Sequence, residues 1–231
     1  MTRLVARLSA AARSGATLAC RGRAWLMRAS PVLAGLLLCA GPLRAAPGQG
    51  IPADPDPRAV QGGHYRVEPE HTEVLFSVSH MGFSTYWGLF SQVGGTLDLD
   101  PADPAHSHVE IDVPVRSLFT TNPRLTADLK GQAWLNGVAD PKAHFSSTAI
   151  TRLGPAEARV DGNLTLRGVT HPLTLQAHFV GAGRNPLDGA YTAGFSLTGT
   201  LSRAAFGITP YLPLISDAVR LTISAAFERQ P

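Results

Sequence analysis

The sequence predicts an antiparallel β domain, closed into a barrel or folded into a sandwich, with one helix inserted midway. Three observations predict it. Apolar and polar residues alternate through segment after segment between His64 and Glu228, the period of strands with one dry and one wet face. Turn signals such as Gly94-Gly95, Asp100-Pro101 and Gly154-Pro155 punctuate those segments, as expected where strands reverse. One stretch, Asn122 to Gly137, abandons alternation for a spacing of four, which is helical.

Ahead of the domain, residues 1–46 read as a targeting leader. Seven of the 20 basic residues lie there, no acidic residue does, and an apolar run from Pro31 to Leu43 follows. That run is short of the roughly 20 residues needed to span a bilayer. Ala45 ends a cleavage site, with Leu43 larger than the usual residue two positions before it, and the expectation is an exported, periplasmic chain beginning near Ala46. Met27 would serve as the start of a signal peptide of ordinary length. Cys39 fits a lipoprotein site poorly, because Leu38 stands where a small residue is wanted. Residues 47–63, rich in Pro, Gly and Asp, read as a flexible linker. The remaining chain, 64–231, forms one domain.

Outside the leader, 13 basic face 17 acidic residues, a net of −4. A mildly acidic body without basic clusters argues against a nucleic-acid interface. Both cysteines, Cys20 and Cys39, sit in the leader, so the body offers no disulfide framework and no thiol chemistry.

The strands follow in order. Val74, Phe76, Val78 and His80 share a face opposite Glu73, Leu75, Ser77 and Ser79. Val109, Ile111, Val113 and Val115 oppose Glu110, Asp112 and Arg116. After the helix, Asp161 to Leu175 reads as a hairpin turning at Gly168. Leu164 and Leu166 are on its apolar face, Pro172 is at the first position of the return strand, and Leu173, Leu175, Ala177 and Phe179 continue the face. Phe195, Leu197, Gly199 and Leu201, then Val219, Leu221, Ile223, Ala225 and Phe227, supply two further apolar faces. In the helix, Asn122 is the expected cap, with Pro123 at the first position. Leu125, Leu129 and Ala133 then repeat every four residues beside Trp134, and Asn136-Gly137 is the stop.

No catalytic set emerges. His64, His71, His106, His108, His144 and His178 are scattered without the spacing that converges on zinc, so no metal is expected. There is no GxSxG elbow. The acidic pairs Asp98 and Asp100, Glu110 and Asp112, and Glu68 and Glu70 lie on or beside polar strand faces, not in the shielded settings that make a general acid. Glycines around Gly181 to Gly183 match no phosphate-binding pattern.

The hairpin's wording carries further. Gly162-x-Leu164-Thr165-Leu166-x-Gly168-Val169-Thr170-x-Pro172-Leu173 resembles the signature of the YceI-like family. Tyr65 to His80, Gly88-Leu89-Phe90, Asp128 to Pro141 and Arg203-x-x-Phe206-Gly207 resemble it too, in the family's order. The resemblance spans roughly Tyr65 to Glu228. It implies a periplasmic, lipocalin-like antiparallel β-barrel of about eight strands, all-β apart from the one helix. It also implies a polyisoprenoid lipid, of polyprenyl or quinone type, held in an apolar lumen. The chain departs from the family pattern at Ala133, Asp140 and Ala205, which bears on the shape of the entrance.

On that reading the tail would contact Phe76, Val78, Phe83, Trp87, Phe90, Leu129, Trp134, Leu164, Leu166, Leu173, Leu175, Phe195, Leu197, Phe206, Leu221 and Ile223. His80 and Arg203 would be polar groups near the lumen, burial of either as a structural group being the alternative. Small inward residues, Gly162, Ala177, Gly199 and Ala225, would keep the lumen open. The expected partner is the isoprenoid lipid, with transient membrane contact and a homodimer left open, and no cofactor. The competing readings are a lipid-modifying hydrolase or isomerase, and a solid sandwich that serves protein contact.

Overall fold

A computed structural model describes residues 52–231; the leader and its cleavage site lie outside the described residues. A short 3₁₀ turn, Pro57–Ala59, precedes strands β1 (Gly63–Val67), β2 (Glu73–His80), β3 (Ser84–Phe90), β4 (Gly94–Leu99) and β5 (His108–Pro114). Helix α1 (Pro123–Lys130) follows, then β6 (Lys142–Arg152), β7 (Glu157–Leu166), β8 (Val169–Arg184), β9 (Tyr191–Ser202) and β10 (Ala218–Arg229).

These ten segments make eight staves of a closed antiparallel barrel. β1 and β2 are two halves of one stave, both lying against β10: Val67 opposes Phe227, and Glu73 opposes Ser224. β3 and β4 are likewise two halves, pairing with β2 and β1 in turn. The ring then runs β4-β5-β6-β7-β8-β9-β10 and closes from β10 onto β1. Closure settles the choice between barrel and sandwich.

The break between β1 and β2 is stitched by side chains. Thr72 Oγ1 accepts from Ala226 N at 3.0 Å and donates to Ala226 O at 3.2 Å, taking the place of a ladder pair. The Glu68 carboxylate accepts the Glu70 and His71 N–H groups at 2.9 and 2.8 Å. Backbone groups freed by the bend are thereby satisfied. Two bulges, at Ser147/Ala149 and Phe179/Gly181, add the local twist that curves long strands around a barrel. At the first bulge Ser147 Oγ accepts the Val109 N–H at 3.0 Å.

The hairpin turns at Arg167 (φ 55°) and Gly168 (φ 70°), with Leu166 opposite Val169. Two left-handed residues make the two-residue turn that matches strand twist. Pro172 lies within β8, not at its start as the sequence suggested. Counting back from the turn, its pair with Asn163 is one across which no backbone bonds run. Pairing to β9 begins only at Leu175, so the missing N–H has no partner strand to fail.

Helix α1 starts as expected: Asn122 Oδ1 accepts the Arg124 and Leu125 N–H groups at 3.0 and 3.2 Å. It ends earlier than the spacing implied, at Gly131, and Ala133, Trp134 and Asn136 belong to the turns that follow. Residues 52–62, read as a tether, instead form a strap. Asp54 and Ala182 exchange two backbone bonds of 2.8 and 2.9 Å, and a Cβ at Gly183 would collide with Pro52 O. The strap and the loops 100–107, 153–156 and 185–190 sit at one end of the barrel. Helix α1, the β2–β3 and β7–β8 turns and loop 203–217 sit at the other.

Candidate functional site

Closing a sheet gathers one face of every stave around a common axis. Along that axis runs a cavity of about 1740 Å³. Every apolar face read from the sequence contributes to its wall, from Val74, Phe76 and Val78 on β2 to Leu221, Ile223 and Ala225 on β10. Phe195, Leu197, Leu221 and Ile223 point inward and still remain half-buried, which a close-packed interior would not allow. The barrel is hollow.

Solid packing is confined to two regions. Near the strap, Tyr65 and Ala193 are fully enclosed and Val67 and Ala182 buried, and Phe195 meets Phe179 and Phe227 edge-on at 5.7 and 6.0 Å. Burial pushes the Tyr65 phenol up to about 12, with Tyr191 adding to the effect. Its hydroxyl donates to Gln61 O, pinning the strap. Toward the helix end, Phe145, Leu164, Leu173 and Ile208 form the second cluster.

Among the small residues expected inside, Ala177 and Ala225 do line the cavity. Gly162 and Gly199 act differently: a Cβ at either would strike Phe145 or Leu175. These glycines let the large side chain across the ladder lie flat against the wall, which keeps the axis clear.

Of the residues predicted to hold a ligand, Phe76, Val78, His80, Phe90, Leu129, Trp134, Leu164, Leu166, Leu173, Leu175, Phe195, Leu197, Arg203, Leu221 and Ile223 line the cavity. Three do not. Phe83 caps the β2–β3 turn and is 89% exposed. Trp87 opposes Ser77 on the outer face and is 52% exposed. It is three positions from the inward Phe90, so strand parity forbids both from facing in. Phe206 is buried in the packed cluster with Phe145, Leu164 and Leu173, its ring edge-on to His171 at 5.2 Å, and does not reach the cavity. The same parity identifies Tyr86, absent from the expected set: it lines the cavity, and its buried hydroxyl has no hydrogen-bond partner among the described residues. Tyr211 and Ile215 line the cavity as well, from a loop without any period to reveal them.

The polar groups along the lumen are largely committed elsewhere. Arg203 is 3% exposed and donates to four main-chain carbonyls. Nε reaches Ser216 O at 2.9 Å, Nη1 reaches Ile208 O at 2.8 Å, and Nη2 reaches Pro210 O and Ile215 O at 3.0 and 2.9 Å. Its guanidinium also lies 5.6 Å from the Trp134 ring centre, and Trp134 stacks on Tyr211. Burial pushes its pKa down, Asp217 opposing. Arg203 therefore braces loop 203–217 against the lumen. At the strap end, Arg58 is spent on Asp56, whose carboxyl it draws down to about 2. Arg152 donates to Pro101 O at 2.6 Å.

The histidines sit apart, most of them beside carboxylates: His64 with Asp98, His144 with Asp112, and His178 with Glu157. No group of three metal-ligating side chains converges among the described residues. What the site offers chemically is apolar volume.

A family model, the YceI-like domain, matches residues 65–227. The UPF0312 protein of Shewanella oneidensis is 35% identical over 169 residues, covering 72% of this chain and 88% of its own. That of Pseudomonas syringae pv. tomato is 38% identical over 141 residues, covering 61% and 73%. Among solved structures, Burkholderia cenocepacia BcnA aligns with a TM-score of 0.63 at 21% identity, over 69% of this chain and 98% of its own. A polyisoprenoid binding domain from Saccharophagus degradans, implicated in plant cell wall breakdown, aligns with a TM-score of 0.55 at 12% identity, over 74% and 100%. The two solved structures share the fold, a lipocalin-like barrel, while the sequence matches span nearly all of it. The chain belongs to the YceI-like family.

Proposed function

We propose that the barrel is a binding protein that holds one polyisoprenoid lipid in its lumen, as carrier or store, in the periplasm. The observation that carries this reading is the hollow apolar core. At roughly 30 Å³ for each water-sized unit, the cavity offers space for on the order of 50–60 carbon-sized units. A long apolar chain suits that space, since the wall is mostly apolar along its length and Arg203, Arg58 and Arg152 among its polar groups are already paired. Burying a methylene contributes about 0.8 kcal/mol, so about ten enclosed carbons approach the ~8.2 kcal/mol of a micromolar complex before ordering costs. The polyisoprenoid class is supported by the family and by the ligand named for the S. degradans domain. The periplasmic setting is supported by the basic-then-apolar leader.

Organic extraction of purified protein, followed by mass spectrometry, tests the reading. A lipid with five-carbon repeats at near one equivalent supports it. A protein that neither carries nor takes up such a lipid overturns it, and a chemically altered lipid would replace carriage with an enzyme. Intact mass tests export: the mature chain should begin near Ala46, and a chain from periplasmic material that keeps Leu36 to Leu38 refutes it.

A further inference from the structure

The two ends of the barrel are unlike in both charge and polarity. At the helix end, setting aside the buried Arg203, the connections 81–83, 115–141, 167–168 and 203–217 hold four basic and three acidic residues. At the strap end, 52–62, 100–107, 153–156 and 185–190 hold one basic and five acidic. Exposed large apolar side chains follow the same division. Met81, Phe83, Phe119, Val138, Tyr211 and Leu214 lie in the helix-end connections, and only Leu153 and Leu187 in the others. Single exposed side chains occur at both ends, Val138 at 98%, Phe83 at 89% and Leu187 at 93%; what differs is the grouping of six at the helix end, which form an apolar crown there.

We propose that this crown docks on an anionic lipid bilayer, with the helix end facing the membrane. Rings and aliphatic tips at the interface, set among basic groups, are the composition that partitions into a headgroup layer. Arg116 and Arg124 are exposed beside the crown, placed to meet acidic headgroups. The acidic strap end would be repelled by the same surface, so orientation is fixed by charge.

The crown is also continuous with the lumen. Met81 and Tyr211 are exposed at the surface and line the cavity, so a chain leaving the bilayer there would meet apolar surface throughout. The crown is knit together from below: Met81 N donates to Leu214 O at 2.7 Å, and Tyr211 stacks on Trp134 above Arg203. Docking thus presents a rigid rim, not a loose loop. This assignment of the mouth rests on the lumen reading above; the attraction to a bilayer does not.

Co-sedimentation of the purified protein with phosphatidylglycerol-containing vesicles tests the proposal, with pure phosphatidylcholine vesicles as comparison. Binding should favour the anionic vesicles and weaken with salt. Phe83→Ser with Leu214→Ser should lower binding roughly tenfold, and Leu187→Ser at the opposite end should leave it unchanged. All three side chains are exposed, so melting should stay as in the wild type. Absence of vesicle binding overturns the proposal, as does an equal loss in Leu187→Ser. Self-association without vesicles, abolished by the crown substitutions, would overturn it in favour of a second copy of the chain. Retained lipid is measured in parallel: lipid carried without vesicle binding refutes docking alone, and vesicle binding by a protein that carries no lipid refutes the lumen reading alone.

Discussion

One substitution made at two depths asks directly whether the interior is hollow. Ala177 faces the axis midway along β8, with Ala158 on β7 and Leu197 on β9 as its cross-strand partners. All three line the cavity, and Ala177 remains half-buried. Ala225 also faces inward, but it is 7% exposed and belongs to the packed cluster with Phe179 and Phe227. Replacing Ala225 by Phe forces a ring into close-packed surroundings, which costs about 1–3 kcal/mol. At about 2–4 °C per kcal/mol for a domain of this size, melting of the lipid-free protein should fall by roughly 3–10 °C. Ala177→Phe places the same ring in open volume, so the lipid-free protein should melt within about a degree of wild type. The ring would instead exclude about five ligand carbons, worth ~4 kcal/mol, and lipid affinity should drop about 10³-fold. Calorimetry of delipidated protein and quantitative lipid extraction read the two effects separately. Equal destabilisation by both substitutions would mean that the axis at Ala177 is filled; full lipid retention in Ala177→Phe would place the ligand elsewhere.

Further tests concern the frame around the lumen. Arg203→Met strands four buried carbonyls and should destabilise by roughly 3–5 kcal/mol; Arg203→Lys should restore only part, because an ammonium cannot span the fork. Tyr86→Phe removes a buried hydroxyl without a partner among the described residues, so thermal stability of the empty protein should hold or rise, and a fall would contradict that reading. Gly183→Val should displace the strap from β8, read as faster amide exchange at Asp54 and Ala182 with β7–β8 pairing intact. Stability should fall at both pH extremes. Bonds from Ser202 and Ala204 hold Asp217 below its ordinary 3.8, and Lys142 and His144 do the same for Asp112 against its burial. Their contribution is present above the ordinary value and is lost as pH falls through the depressed ones. Tyr65 works in reverse: its contribution holds below pH 10 and is lost by about 12. A melting temperature that is flat from pH 2 to 12 would contradict both assignments.

The fold was legible because alternation is a local signal with a global meaning. Once Val74, Phe76 and Val78 shared a face, and five later segments did likewise, a closed sheet had to place those faces together. Where the reading failed, the cause was a contact outside that periodicity. Trp87 is expected at the lumen with the other apolar residues, yet the parity set by Phe90 turns it to the outer face. Phe206 and Tyr211 lie in a loop whose shape depends on Arg203 and its four carbonyls, and no local pattern announces which of the two reaches the lumen. The strap looked like a tether because its partner, Ala182, is 128 positions away, and its composition matches that of a linker. The early end of α1 at Gly131 reflects a glycine that the fourfold spacing passed over.

The seam between β1 and β10 also bears on how the molecule is made. Tyr65 and Arg229 are neighbours across the ladder yet stand 164 positions apart, and closing such a loop costs about 4.5 kcal/mol or more in chain entropy. Until the twelve-residue strand β10 exists, β1, β2 and β9 each keep an open edge, and the sheet cannot close on itself. Folding should therefore be slow and all-or-none, gated by the arrival of the C-terminus. Removal of β10 should abolish the structure, not trim it. A barrel that cannot close before β10 is made keeps those edges unpaired throughout synthesis, the interval in which strands of different chains can pair with one another.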